Sequence, residues 1–251
     1  MRLAIKFAYN GKKFHGYARQ PKLKTVEGEL IKQLIKQKII DDAKKSCLRT
    51  ASRTDRGVSA LGNVAAFNTD VPEKNVLKKL KNNTDIIVYG IKKVEPEFYP
   101  RYAKWRIYRY YLNKNNLDLD ETISTASIFT GEHNFTNFAR IEPDKNPVRT
   151  INNITIEEKN SFFVIDFYAQ TFLWHQIRRI VSAIEKIGKN KITKQQIINA
   201  LNNPNKKVDF GLAPPEPLIL KDVIYDFNFK YHKNSLKKIK QLETKIYKSL
   251  L

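Results

Sequence analysis

Hydrophobic positions along the chain switch repeatedly between period two and helical spacing. Leu3, Ile5, Phe7 and Tyr9 alternate with small or polar residues, which predicts a half-buried strand closed by an Asn10-Gly11 turn. Behind Thr25, a candidate N-cap, Val26, Leu30 and Leu34 recur at helical spacing together with Ile31 and Ile35. Residues 86–94 (IIVYGIKKV) predict another strand. Residues 105–112 (WRIYRYYL) predict an aromatic strand with Tyr108, Tyr110 and Leu112 on one side. The stretch INNITIEEKNSFFVIDFYAQ predicts a hairpin that turns near Lys159 and Asn160. A helix is expected over 171–187, with Ile177, Ile180, Ile184 and Ile187 as its apolar stripe and Gly188 as its cap. Thr193 and Gln196 form a capping box that opens a second helix. FGLAPPEPLIL reads as a proline-rich crossing segment. Leu236, Ile239, Leu242, Ile246 and Leu250 give a basic amphipathic terminal helix.

Strands mix with helices without strict alternation, so the expected class is α+β around a mostly antiparallel mixed sheet flanked by helices. There is no fixed-period repeat and no low-complexity linker. A division into two α/β halves, 1–103 and 104–251, falls at the EPEFYPRYA stretch near Arg101.

A chain of 251 residues with 41% hydrophobic and 11% aromatic residues is globular and can bury a sizeable core. No apolar run approaches the roughly 20 residues of a membrane helix. The first residues alternate where a signal peptide would be continuously apolar. The single Cys47 excludes an internal disulfide and a cysteine-rich zinc site, and His15, His133, His175 and His232 are scattered. No phosphate-binding glycine loop, dinucleotide fingerprint or nucleophile elbow is present. The expectation is a soluble cytoplasmic protein that uses no metal, no cofactor and no membrane.

Charge changes the picture. Lys and Arg outnumber Asp and Glu by 46 to 25, a formal net charge of +21. Coding bias toward lysine explains part of this, and a nucleic-acid partner explains the rest, because phosphate neutralisation releases counterions. Arginine is scarcer and gathers in SRTDR, RYAKWRIYR and IRRI, as if placed.

Three residues carry candidate chemistry, each with two open readings. Asp55, between Arg53 and Arg56 and followed by Gly57, is either a turn aspartate that caps its own backbone or a functional carboxylate drawn against a core by VSALGNVAAF. Arg178 sits one residue off the isoleucine stripe, so it is either a snorkelling arginine or a guanidinium that keeps a carboxylate ionised. Tyr108 is either core packing or a ring on which a base stacks.

At these residues the chain resembles the TruA family of tRNA pseudouridine synthases. SRTDRGVSALGNV is similar to the family's signature loop, close to GRTDxGVHAxGQV. YNGKKFHGYARQ with TVEGEL, FYPRYAKWRIYRYYL, GEHNFTNFAR with PVRTI, FLWHQIRRIVSAI and LAPPEPLILKDVIY resemble further family segments in the same order. Ser52, Arg56 and Ser59 depart from the bacterial pattern, where a glycine, a small residue and a histidine stand, and bring the loop closer to archaeal and eukaryotic relatives. The resemblance implies two similar halves forming a central RNA-binding cleft, the pseudouridine synthase fold. It implies an isomerase, in which Asp55 is the catalytic carboxylate, acting as nucleophile at C1′ or as base at C2′. Tyr108 is the base-stacking residue, Arg178 the basic partner of the aspartate, and Arg53 and Arg56 handle RNA while the target base is flipped out. It further implies a homodimer that binds tRNA and modifies the anticodon stem-loop near positions 38–40. Two rivals remain at this stage: a non-catalytic RNA-binding module, which leaves Asp55 unexplained, and a metal-dependent nuclease, which would need clustered acids.

Overall fold

The computed structural model describes residues 1–80 and 85–251. In chain order it runs β1 (Arg2–Tyr9), α1 (Val26–Lys36), β2 (Arg49–Thr50), β3 (Ser59–Asn68), α2 (Glu73–Leu80) and β4 (Ile86–Val94). Next come β5 (Trp105–Asn113), α3 (Leu119–Ser127), β6 (Gly131–Asn134), β7 (Val148–Ile151), β8 (Asn153–Lys159), β9 (Phe162–Ala169), α4 (Gln176–Gly188) and α5 (Lys194–Asn202). β10 (Leu218–Ile224), β11 (Lys230–Tyr231) and α6 (Lys233–Lys248) close the chain. The class is α+β, as expected.

The chain divides into two compact units, Met1–Lys104 with Ile219–Leu251, and Trp105–Leu218. The first boundary lies within one residue of the cut expected at 103/104. The second is a difference from that expectation, which ran the latter half on to 251. Its cause is pairing: Ile219 and Leu220 of β10 lie parallel to Ser59 and Ala60 of β3, which returns the end of the chain to the first unit.

In the first unit β1 is central, antiparallel to β3 on one side and to β4 on the other, with β11 beyond β4. The alternation of β1 predicted one solvated face, yet all eight of its residues are buried. The second face is covered by the end of the chain. Lys6 pairs with Asp222 and lies 5.3 Å from the ring centroid of Phe229. Arg2 donates from Nε to the Phe98 carbonyl at 2.8 Å and from Nη1 to Asn68 Oδ1 at 3.0 Å. Phe98, Tyr225, Phe227 and Phe229 pack ring to ring over the same region, and the Tyr225 hydroxyl donates to the Pro100 carbonyl at 2.6 Å. Polar residues inside a strand are tolerated here because each has a partner. Thr25 caps α1 as expected, accepting from the Gly28 N–H at 3.3 Å, while Ile35 turns outward.

The remaining edge of β3 is shared. β2 pairs with its far end, at Ala65 and Ala66, and β10 with its near end. Between them Gly62 lets β10 approach, since a Cβ there would sit 2.9 Å from the Lys221 carbonyl oxygen and 3.0 Å from the Asp222 Cα.

In the second unit β5, β9 and β8 form an antiparallel meander. The β8–β9 hairpin turns at Asn160 and Ser161, with Asn160 at φ 52°, where the sequence placed it. On β5 the residues Tyr108, Tyr110 and Leu112 are buried together. The Thr193/Gln196 capping box is present on α5. The isoleucine stripe of α4 is buried, but the helix starts at Gln176, not at 171: His175 adopts φ 64° and breaks it from the residues before. Gly188 is the last helical residue, and Lys189 is the cap. On α6, Ile246 is buried and Leu236 exposed, so the apolar side is only partly used.

Arg109 and Asp166 face each other directly across β5 and β9. Their contact is bidentate, Nε to Oδ1 and Nη2 to Oδ2, both at 2.8 Å, with side-chain exposures of 16% and 8%. This partner raises the guanidinium pKa of Arg109 further above its ordinary value, against the opposing effect of burial. Removing one partner of such a pair strands a charge. Asp166→Ala is therefore expected to lower unfolding free energy by about 3 kcal/mol in urea denaturation; a loss under about 1 kcal/mol would mean that the pair behaves as a solvated surface bridge.

Candidate functional site

The loop between β2 and β3 carries Asp55. The hairpin is first tied at its neck: the Ala51 N–H donates to the Val64 carbonyl at 2.9 Å, and Asn63 Nδ2 donates to the Ser52 carbonyl at 2.9 Å. At its tip the Val58 N–H reaches back to the Asp55 carbonyl at 3.2 Å, and Gly57 adopts φ 86°. Arg56 keeps negative φ, so this is a type II turn, with glycine at the position that needs positive φ. The tight turn read from Asp-x-Gly is present.

Three contacts from the start of the chain hold that turn. The Tyr9 hydroxyl hydrogen-bonds Thr54 Oγ1 at 2.9 Å, and the Tyr17 N–H donates to the Thr54 carbonyl at 3.1 Å. The Gly11 N–H donates to Ser59 Oγ at 3.0 Å. Gly11 lies so close to the Gly57 and Val58 carbonyls that an added Cβ would overlap them. Asn10-Gly11 was read only as a turn. Its second purpose, a close approach between backbones, has no local signature and was missed.

Exposure varies residue by residue along the loop. Ser52 and Thr54 are buried, Arg53 and Arg56 are exposed, and Asp55 is half-buried. The two arginines thus face solvent while the aspartate lies lower in the fold.

Tyr108 and Arg178 lie in the second unit. Tyr108, opposite Phe167 on β9, is 9% exposed and meets Phe172 edge-on at 5.3 Å between ring centroids. Arg178, on the first turn of α4, is also 9% exposed. Its Nε donates to the Ala213 carbonyl at 2.8 Å, and the Ala213 N–H donates to the Arg178 carbonyl at 3.1 Å. Such burial is not that of a snorkelling side chain. Nearby Tyr110 donates to the Pro214 carbonyl at 3.1 Å. Burial, reinforced by Glu185, pushes its phenol well above the ordinary pKa, and the positive charge of Arg178 pulls the other way.

The arginine clusters are only partly available to a polyanion. Arg106 is buried and donates to the Gln170 carbonyl, Arg109 is committed to Asp166, and Arg179 pairs with Asp209 at 2.8 Å. The strand pattern could have exposed the first two: a charge within an aromatic strand needs a partner in the neighbouring strand. Among the described residues no group of three or more His, Cys, Asp or Glu side chains is arranged to hold a metal ion, and no helix is long and apolar enough to cross a membrane.

The chain matches known proteins over most of its length. A family profile described as tRNA pseudouridine synthase matches residues 125–226. The tRNA pseudouridine synthase A of Thermococcus sibiricus is 43% identical over 246 residues, covering 96% of this chain and 91% of that protein. Its namesakes from Thermococcus gammatolerans and Pyrococcus abyssi are 40% and 38% identical, each over 247 residues and with the same coverage. Among solved structures, a Cbf5-Nop10-Gar1 complex overlaps 71% of this chain and 43% of that chain, with 12% identity and a TM-score of 0.37, too loose a likeness to bear weight. On the strength of the sequence relatives, the chain belongs to the tRNA pseudouridine synthase family, isomerases that convert uridine to pseudouridine in tRNA.

Proposed function

We propose that this chain isomerises uridine in the anticodon stem-loop of tRNA, near positions 38–40, with Asp55 as its catalytic carboxylate. The observation that carries the reading is the half-buried Asp55 on a turn locked from three sides. A turn aspartate of purely local purpose does not require a glycine fitted against the end of its turn or a tyrosine bonded to its neighbour.

The reaction breaks the bond from ribose C1′ to uracil N1, turns the base and joins C1′ to C5. The bonding pair leaves with uracil and returns as the new bond. A proton is lost from C5 and one is gained at N1, so composition is unchanged. Positive charge develops at the sugar, and a fixed carboxylate beside C1′ opposes it, as in glycoside cleavage. The resemblance assigns Arg178 as the basic partner of that carboxylate. Tyr108 stacks on the base and shields the sugar from water, which would otherwise give hydrolysis. A stacked uridine is out of reach, so it is extruded, with Arg53 holding displaced phosphate and Arg56 assisting. The protein acts as a homodimer on tRNA, as the resemblance implies, and in the cytoplasm, as its composition suggests.

Asp55→Ala is expected to abolish pseudouridine formation on unmodified tRNA and to leave tRNA affinity within a few fold. Substantial residual turnover would refute the role, whereas intact binding without turnover in the unaltered protein would favour a plain RNA-binding module. Gly11→Ala tests the clamp: displacing the loop by about 1 Å should cost on the order of 100-fold in turnover with affinity retained, and an unchanged rate would remove Gly11 from the argument. Arg53→Ala and Arg56→Ala should each flatten the dependence of log affinity on log salt by about 0.7–0.9, and equal slopes for variant and parent would take these arginines off the phosphates.

A further inference from the structure

Trp174 is one of only two tryptophans and is 42% exposed. It precedes α4 in the second unit, and the proposed mechanism does not use it. Arg140 lies over its indole, with Cζ 4.2 Å from the ring centroid, and His175 stands 5.0 Å away, tilted by 53°. The segment is pinned on both sides. The Arg140 N–H donates to the Trp174 carbonyl at 2.8 Å, forming an isolated antiparallel bridge. The Leu173 N–H donates at 2.8 Å to Oε1 of Gln176, a residue that is itself buried. His175 adopts φ 64°, so the chain turns sharply from the tryptophan into the helix. A large ring held in one orientation at the surface beside a guanidinium is not what packing alone requires.

We propose that Trp174 and Arg140 form a nucleotide platform, on which the base of an RNA residue flanking the target uridine stacks while its phosphate meets Arg140. Aromatic rings and arginine planes are the surfaces that single-stranded bases use. The cation beside the ring selects a polyanion over a neutral partner, in keeping with a net charge of +21. Arg178 is three residues beyond His175, about 4.5 Å along the helix axis, so the platform lies within one helical turn of a residue assigned to the reaction. A flanking base held there would supply stacking that the helix loses when the uridine turns out. The inference rests on the proposed tRNA reaction and assigns Trp174 to substrate positioning, not to chemistry.

The experiment uses the full chain carrying Trp105→Phe, so that Trp174 is the sole indole emitter, and a uridine-containing anticodon stem-loop RNA. Titration with RNA should quench the Trp174 emission. Trp174→Ala should raise KM roughly 5- to 100-fold while kcat at saturating RNA stays within about twofold, and Trp174→Phe should restore most of the loss. An abasic nucleotide beside the target should weaken binding to the parent but add little to the defect of Trp174→Ala. No quench, an unchanged KM, or a fall in kcat alone would each overturn the platform. Asp55→Ala separates the two readings: if it stays active, the chemistry assigned to Asp55 fails while a quench still supports the platform. If it is inactive and RNA does not quench Trp174, the platform alone fails.

Discussion

The close fit of Gly11 against the Gly57 and Val58 carbonyls is the constraint on which the aspartate loop depends. A loop that leaves a two-residue strand and re-enters a ten-residue one has little internal support. Its backbone polar groups must find partners elsewhere. Here residues 9–17, which end the central strand and follow it, supply a partner for the Thr54 carbonyl and for the Thr54 and Ser59 hydroxyls. Tyr9 ends β1, so the hydroxyl that reaches Thr54 is positioned by the most buried strand of the unit. The rigidity of the sheet core is thereby passed to the tip of a surface loop. That is the general requirement for a carboxylate that must meet a developing charge without reorganising.

The same economy governs the positive charges. Much of the formal +21 lies on exposed lysines, but several cations are structural. Lys6 and Arg2 fill the second face of β1, and Arg106 and Arg109 stitch β5 to its surroundings. Each is bonded to a carbonyl or a carboxylate, because burial would otherwise be prohibitive. What remains for a polyanion is therefore less than the composition implies and more specific in place. Arg53, Arg56 and Arg140 are exposed, while the Arg178 guanidinium is anchored inside.

Local rules made much of this legible. The Thr25 cap, the Thr193/Gln196 box, the turn at Asn160 and the strand at 86–94 follow from residues within a few positions of one another, and all are present. The illegible parts depend on distant partners. The alternation of β1 could not reveal that residues 219–231 cover its polar side. The apolar run before α4 resembled a helical turn, yet the left-handed His175 and the bridge from Arg140 to Trp174 decide otherwise. The aspartate loop was found through its motif, while the exposure of its members follows from the contacts that hold the turn. The clamp that fixes it was invisible, because a glycine chosen for close approach looks like any turn glycine.

A single carboxylate suits the proposed reaction for a chemical reason. Glycosidases commonly use two acids, one to protonate the departing oxygen and one to act at the sugar. Here the departing base must not be released, since it has to attack the same carbon through another of its atoms. An adjacent acid that neutralised the uracil anion would favour its escape. In the sequence, Asp55 is the only acidic residue between Asp42 and Asp70, and its nearest charged neighbours are arginines. A positive surround stabilises both the carboxylate and the detached base while the new bond forms. On the proposed reading the arginine bracket around Asp55 serves the phosphates of the RNA, while the carboxylate serves the sugar.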